Sequence, residues 1–247
     1  MEQAGPRRRP AEGGYARGEE VRMKIIEAAL RVFGDNGYER ASTRQIAAEA
    51  GVNPPALQYY FDGKEGLHLA CGQYITDHIS RDLDAAYAVA GSVNPDDPGA
   101  AGAATDALCF ILDTLADLLL GSEQGEGWSR FIARSQTESW SRTLGGQTET
   151  KDAGHSAFRQ GMNAKIHAEC ARLVSIATGC AADDVRTKLR TIAIVGQFTA
   201  FHLRRDATLA LLDWPDFYGE RLKMLKRILR SQTQAILKQR LAFEGAG

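Results

Sequence analysis

Apolar residues recur every three or four positions along most of the chain, and no stretch alternates convincingly in the manner of a strand. From Glu20 to Phe33 the series Val21, Ile25, Ala28, Ala29, Val32 and Phe33 forms one helical face, which Asp35-Asn36-Gly37 brings to an end. Two short helices follow in STRQIAAEAGVNPPALQYYF, Ser42 to Phe61. Ser42 suits the cap of the first, and Ile46, Ala47 and Ala50 give it an apolar face. Gly51 accepts the left-handed backbone of a helix exit, and Asn53 caps the second helix with Pro54 in its first turn. Val52, Leu57 and Phe61 fall on the inner side and Gln58, Tyr59 and Tyr60 on the outer. The pattern predicts a helix-turn-helix.

The helical period continues to the C-terminus. Leu67, Cys71, Tyr74, His78 and Leu83 trace a long fourth helix from Glu65 to about Ala90, and a loop over 91–102 holding Asn94-Pro95-Asp96-Asp97-Pro98-Gly99 follows it. Leu108, Ile111, Leu112, Leu115, Leu118 and Leu119 mark a fifth helix. Gly121 to Gly127 reads as a break, Trp128 to Ser141 as a sixth helix, 142–154 as a looser segment, and Phe158 to Thr178 as a seventh. Asp183-Asp184 opens the eighth with charge that suits a helix N-terminus.

That eighth helix is apolar nearly all round. Leu189, Ile192, Ala193, Gly196, Ala200 and Leu203 lie on one stripe, while Ile194, Val195, Phe198 and Phe201 cover the rest. Such a helix needs cover on nearly every side, which a symmetric partner supplies economically. The last helix, from about Pro215 to Ala242, carries Leu222, Leu225, Leu229, Ile236 and Leu237. Leu189, Ile192, Gly196, Ala200, Leu203, Leu225 and Leu229 are therefore the expected dimer interface.

The expected fold is all-α: an N-terminal three-helix helix-turn-helix domain for DNA over 19–66, and a C-terminal bundle for ligand binding and dimerisation over 67–247. Its second short helix should enter the major groove. The DNA-facing set is then Ser42, Thr43, Arg44, Asn53, Pro55, Ala56, Gln58, Tyr59, Tyr60 and Lys64. Gln58 suits base edges, whereas Tyr59 and Lys64 suit phosphates.

Composition refines this picture. At 247 residues, 44% hydrophobic and 25% charged, the chain can bury a sizeable core, and two domains fit its length. Thirty Lys and Arg against 31 Asp and Glu exclude a general DNA-coating protein but leave room for a site-specific binder with a local basic footprint. Arg40, Arg44 and Lys64 can supply that footprint, with Arg7, Arg8, Arg9 and Arg17 in a Gly-, Pro- and Arg-rich segment over 1–18 that is expected to be disordered. The segment reads equally as a minor-groove arm or a solvated tail. No apolar run follows Arg9, so an export signal is not expected, and no stretch reaches the roughly 20 apolar residues of a membrane span. Four scattered cysteines without C-x-x-C spacing fit a reducing compartment, so the expected location is the cytoplasm.

Ligand chemistry is the least legible part. Trp128, Phe131, Arg134, Phe158, Met162, His167 and Phe198 supply the aromatic and polar types that a helical-bundle pocket uses. A metal- or thiol-sensing alternative rests on His167 and Cys170, three apart on one helix face, with His155 about three turns earlier. No cofactor is expected. An enzyme is not expected either, as there is no G-x-S-x-G, no H-E-x-x-H and no glycine-rich phosphate loop.

The segments IIEAALRVFGDNGYERASTRQIAAEAGV and ALQYYFDGKEGL, within about Val21 to His68, resemble the TetR family of bacterial one-component transcriptional repressors. Members commonly carry Tyr where this chain has Gln58 and His where it has Tyr60, which alters the expected base contacts. GQFTAFHLRRDATLALLDWPDF, Gly196 to Phe217, resembles the C-terminal region of the CecR-type subgroup. The resemblance implies a homodimer joined through its last two helices, a small-molecule effector pocket in each subunit, and release of a near-palindromic DNA operator when the effector binds.

Overall fold

The computed structural model describes the backbone of residues 12–144 and 153–239 and the side chains of 16–136 and 164–239. Ten helices and no strand occur among the described residues: α1 (Glu12–Arg40), α2 (Thr43–Glu49), α3 (Pro54–Tyr60), α4 (Gly63–Gly91), α5 (Ala100–Leu120), α6 (Glu123–Leu144), α7 (Ala153–Thr178), α8 (Val185–Leu203), α9 (Arg205–Leu212) and α10 (Glu220–Lys238). The protein is all-α, with a helix-turn-helix at its N-terminal end.

Local chemistry fixes the N-terminal unit. Helix α1 is interrupted at Gly37, whose φ of 77° and ψ of 168° are not helical. The Ser42 hydroxyl accepts from the Gln45 amide at 3.1 Å and the Asn53 carbonyl oxygen from the Ala56 amide at 3.2 Å, so each short helix is capped three residues into its first turn. Between them the Gly51 amide donates to Ala48 O and the Val52 amide to Ala47 O. This paired closure is a Schellman motif and needs the positive φ, 67°, that Gly51 adopts. Ile25, Ile26, Ile46, Ala47, Leu57 and Leu67 are all buried beneath, joining α1 to α4 in one core.

The longer helices stack on this unit, and several boundaries differ from the periodicity. Helix α1 begins at Glu12, within the segment expected to be disordered; residues 1–11, with Arg7 to Arg9, lie outside the described part. The break expected over Gly121 to Gly127 is confined to Gly121 and Ser122, and α6 starts at Glu123. Gly125 lies inside α6 because a Cβ there would stand 2.0 Å from the Leu118 carbonyl oxygen, so its glycine serves close packing on α5 rather than a turn. The chain after α8 forms a separate short helix, α9, and α10 starts at Glu220 instead of Pro215. Asp213, at φ 53°, closes α9 in the left-handed region.

Helix α8 divides its apolar residues between two destinations. Ile194, Phe198 and His202 are buried inside, while Val185, Leu189 and Ile192 are 61%, 48% and 60% exposed. Two of the residues expected at a dimer interface on α10 are corrected by this packing. Leu225 and Leu229 are only 3% and 2% exposed because they face α5 and α8 within the same chain, and Met224 and Ile228 occupy the outer face instead.

Candidate DNA interface and ligand cavity

On α3 the residues expected to meet DNA separate by exposure. Gln58 and Pro55 are exposed, and Tyr59 is 83% exposed although it is a large aromatic residue. Tyr60 is half-buried, with its ring 5.1 Å from that of Tyr59 in an edge-on contact, and packs against the core, so it supports α3 as much as it faces outward. Arg44 and Arg40 are exposed and belong to no ion pair among the described residues, which leaves both guanidinium groups available to phosphates. Thr43 and Ala56 are partly exposed; Ser42 and Asn53 spend their side-chain oxygens on the caps. Lys64 is more committed than its sequence position suggests. Its ammonium donates to Glu39 O at 3.2 Å and lies 4.5 Å from the centre of the Tyr38 ring, pinning the start of α4 to the end of α1.

Above this unit a cavity of about 240 Å³ lies between α4, α5, α6, α7 and α8. Ile79, Leu115, Leu119, Phe131, Ile166 and Phe198 form its apolar walls. Its polar atoms come from three histidines, His68, His167 and His202, and from Thr76, Ser135, Gln136 and Thr199. No Asp, Glu, Lys or Arg lines it among the described residues. Burial alone pushes the His202 imidazole down to about 4, so at neutral pH this ring is uncharged. The Ser129 hydroxyl donates to Leu119 O at 2.9 Å and lies 3.3 Å from His202 Nδ1. With that hydroxyl hydrogen already committed, Nδ1 is the donor and Nε2 the acceptor of the neutral ring.

Of the residues expected to line a pocket, Phe131, His167 and Phe198 do so. Trp128 does not: it is a core residue, its ring 6.1 Å from Tyr74 and 5.5 Å from His78. Arg134 is exposed and faces a different depression, since an unpaired guanidinium is too costly to place in an apolar chamber. Phe158 and Met162, with His155, lie outside the described side chains. Cys170 is fully buried beside α4 and α5, and burial pushes its thiol up to about 12, so it is neither a thiolate nor a lining residue next to His167. Among the described residues no group of three or more His, Cys, Asp or Glu could hold a metal ion.

His68, Ser135, Thr199 and His202 were not singled out by sequence. Each sits among apolar neighbours on its helix, a weak signal that only the packing of the other helices turns into a site. His68 has the most connected position. Its ring makes edge contacts with Phe33 at 4.9 Å and Tyr38 at 5.1 Å, lies 4.7 Å from Phe131, and brings Nε2 within 3.3 Å of Ser135 Oγ. The cavity wall and the helix-turn-helix core therefore share this side chain. A second contact runs beside it, where Arg130 of α6 pairs with Asp35 of α1 at 3.2 Å. A Cβ at Gly34 would stand 3.3 Å from Arg130 Cβ and 3.4 Å from the Phe131 nitrogen, so the two helices approach almost backbone to backbone.

Residues 25–71 match the model of bacterial regulatory proteins of the tetR family, and residues 153–239 match that of the C-terminal domain of the HTH-type transcriptional dual regulator CecR. CecR of Shigella flexneri is 30% identical over 226 residues, spanning 90% of this chain and 93% of that protein. The chain belongs to the TetR family. BetI of Brucella canis is 42% identical over 65 residues, 26% of this chain and 33% of its own length. Among solved structures, a TetR-like transcriptional regulator from Rhodococcus sp. RHA1 superposes with a TM-score of 0.61 at 20% identity, covering 89% of this chain and 97% of that one. As a TetR-family member the protein is a DNA-binding transcriptional regulator and not an enzyme. Among the described residues no helix is long and apolar enough to cross a membrane.

Proposed function

We propose that this TetR-family protein is a homodimeric repressor that binds a near-palindromic operator and releases it when a small molecule occupies the cavity. The observation that carries this reading is the position of His68, which lines the cavity and packs on Phe33 and Tyr38 of the DNA-binding unit. A ligand that moves α4 or α6 at this point acts directly on the base of the helix-turn-helix. Residues 19–66 serve as the DNA-binding domain and residues 67–247 as the regulatory domain, with α4 running through the junction.

The outer face of α8 supports the dimer. Val185, Leu189, Ile192, Gly196 and Ala200 leave an exposed apolar and small-residue stripe that Met224 and Ile228 extend onto α10. A second copy placed there removes the stripe from water and sets two α3 helices on one side of the duplex, about one helical turn apart or slightly more. Gln58 then reads bases, while Tyr59, Arg40 and Arg44 hold phosphates. Such a regulator works in the cytoplasm, where the chromosome is. The name of the Shigella relative, a dual regulator, favours a second possibility, in which the same DNA complex activates some promoters.

Effector control requires unequal affinity for the two forms, because a ligand that binds both equally shifts nothing. The expected coupling is about 1–3 kcal/mol, and operator must weaken ligand binding by the same factor. A combined screen of thermal shift and operator release tests this. Compounds that occupy the cavity and raise thermal stability without altering DNA binding would make the protein a constitutive regulator.

A further inference from the structure

A second depression opens beside the cavity. It is about 480 Å³ in volume and is lined by four arginines, Arg130, Arg134, Arg204 and Arg205, against two carboxylates, Asp35 and Asp206. The arginines are not equivalent. Arg130 pairs with Asp35 and with Glu126, and Arg205, 3% exposed, reaches Glu126 at 3.3 Å and Leu120 O at 3.4 Å. Arg205 Nε remains buried with no hydrogen-bond partner. Arg134 and Arg204 are exposed and take part in no ion pair among the described residues. The cleft therefore presents two uncommitted guanidinium groups beside a third that is buried and incompletely satisfied. That excess of positive charge answers an anion.

The cleft and the cavity have His202 and Leu203 in common, each of which lines both. Ser129, whose hydroxyl lies 3.3 Å from His202 Nδ1, also lines the cleft. One chamber carries no formal charge and is mostly apolar, and its neighbour across two side chains is rich in arginine. We propose that the two form one bipartite site for an amphiphile, with an apolar body in the cavity and an anionic carboxylate or phosphate end on Arg134 and Arg204. The inference rests on the cavity being the effector site and adds the chemical class of the effector. Since an apolar cavity of about 150 Å³ takes a benzene ring, one of 240 Å³ takes a body of roughly ten carbon atoms.

Decanoate and decyl phosphate below their micellar concentrations, and 1-decanol below its solubility limit, share that body and differ at the end group. Calorimetry should show both anions binding at least about tenfold more tightly than the alcohol, the worth of one or two charge-assisted hydrogen bonds at a partly exposed site. In the Arg134→Ala/Arg204→Ala protein the anions should fall to the affinity of decanol, and decanol itself should not change. A preference for decyl phosphate over decanoate would identify a phosphate end, the reverse a carboxylate, and equal binding of the two a site that takes either anion. Equal binding of all three by the native chain, an equal loss of all three in the double variant, or no binding by any of them overturns the bipartite site. Decanol releasing operator as well as the anions do would leave the effector-controlled regulator standing and remove only the amphiphile. Failure of the unliganded protein to retain any operator would remove the regulator and leave the binding comparison intact.

Discussion

The DNA-binding unit and the cavity are built on different length scales. From Ser42 to Lys64, the capping and turn contacts that shape the two short helices connect residues no more than five apart. The cavity is assembled from side chains spread between His68 on α4 and Leu203 on α8, and each is useful only because four other helices hold the rest in place. Short-range hydrogen bonds give the first region a surface that is finished once α1 supports it. The second is a product of the whole fold, and so responds to anything that shifts α4, α6 or α8 against each other. The proposed effector control needs that asymmetry: a stiff reader and a wall that can move.

The largest effect should come from breaking the arrangement of two readers while leaving each one intact. Ile192→Glu places a charge on a residue that is 60% exposed in one chain but covered in the proposed dimer. Burying it unpaired costs about 3–5 kcal/mol, so the variant should be a folded monomer by light scattering and lose most operator affinity. Leu225→Glu, at a position 3% exposed within its own chain, should instead unfold the protomer. An unperturbed dimer in Ile192→Glu would move the interface away from α8.

The two regions should also separate by pH. His202 has its folded value depressed to about 4 by burial, against an ordinary 6.5, so the unfolded chain takes up a proton that the folded chain refuses. Stability from this group is fully present above about pH 6.5 and is lost as pH falls towards 4, a change of about 3 kcal/mol in total. His202→Gln should flatten the dependence of urea midpoints on pH in that window. Ser42 and Asn53 hold their caps without a titrating group, so the capped first turns of α2 and α3 have no matching response. A native slope that survives in the variant would assign the proton uptake to another residue.

Within the DNA end, Gln58→Ala should reduce discrimination between operator and random duplex by about 1–3 kcal/mol and leave binding to random DNA nearly constant. Tyr59→Phe should weaken both duplexes together, because a phosphate contact carries no sequence information. Competition binding at fixed salt separates the two outcomes, and equal losses for Gln58→Ala would show that it does not read bases.

The same contrast in length scale decided what the sequence could disclose. Ser42, Gly51 and Asn53 were legible because their chemistry is complete within a few residues, and the helical period recovered most of the remaining elements. Gly125 misled because a glycine that admits a neighbouring backbone reads the same as one that makes a turn. Helix α9 is not legible because its eight residues are too few for a clear period and, unlike α2 and α3, it starts without a side-chain cap. Phe131, His167 and Phe198 were found as pocket residues by type, while Trp128 and Arg134 have the same types and point elsewhere. Leu225 and Leu189 show the same limit on a dimer face. Both are leucines in amphipathic helices, and only the packing tells which one is left for a partner.

The smallest effect tests whether the two regions are as separable as their construction implies. Asn53→Ala removes the carbonyl that accepts from the Ala56 amide and should lower stability by about 1 kcal/mol, whereas Asn53→Gly should cost only a few tenths. The first turn of α3 should fray, and operator affinity should fall with it, because Gln58 and Tyr59 follow within two turns. Affinity for a cavity ligand in the absence of DNA should stay at the native value, since no cavity wall comes from α3. Hydrogen exchange of the Ala56 and Leu57 amides, measured beside ligand titration, checks both halves. A parallel loss of ligand affinity in Asn53→Ala would mean that the cap supports the cavity through α4, and the reader and the wall would then be one cooperative unit.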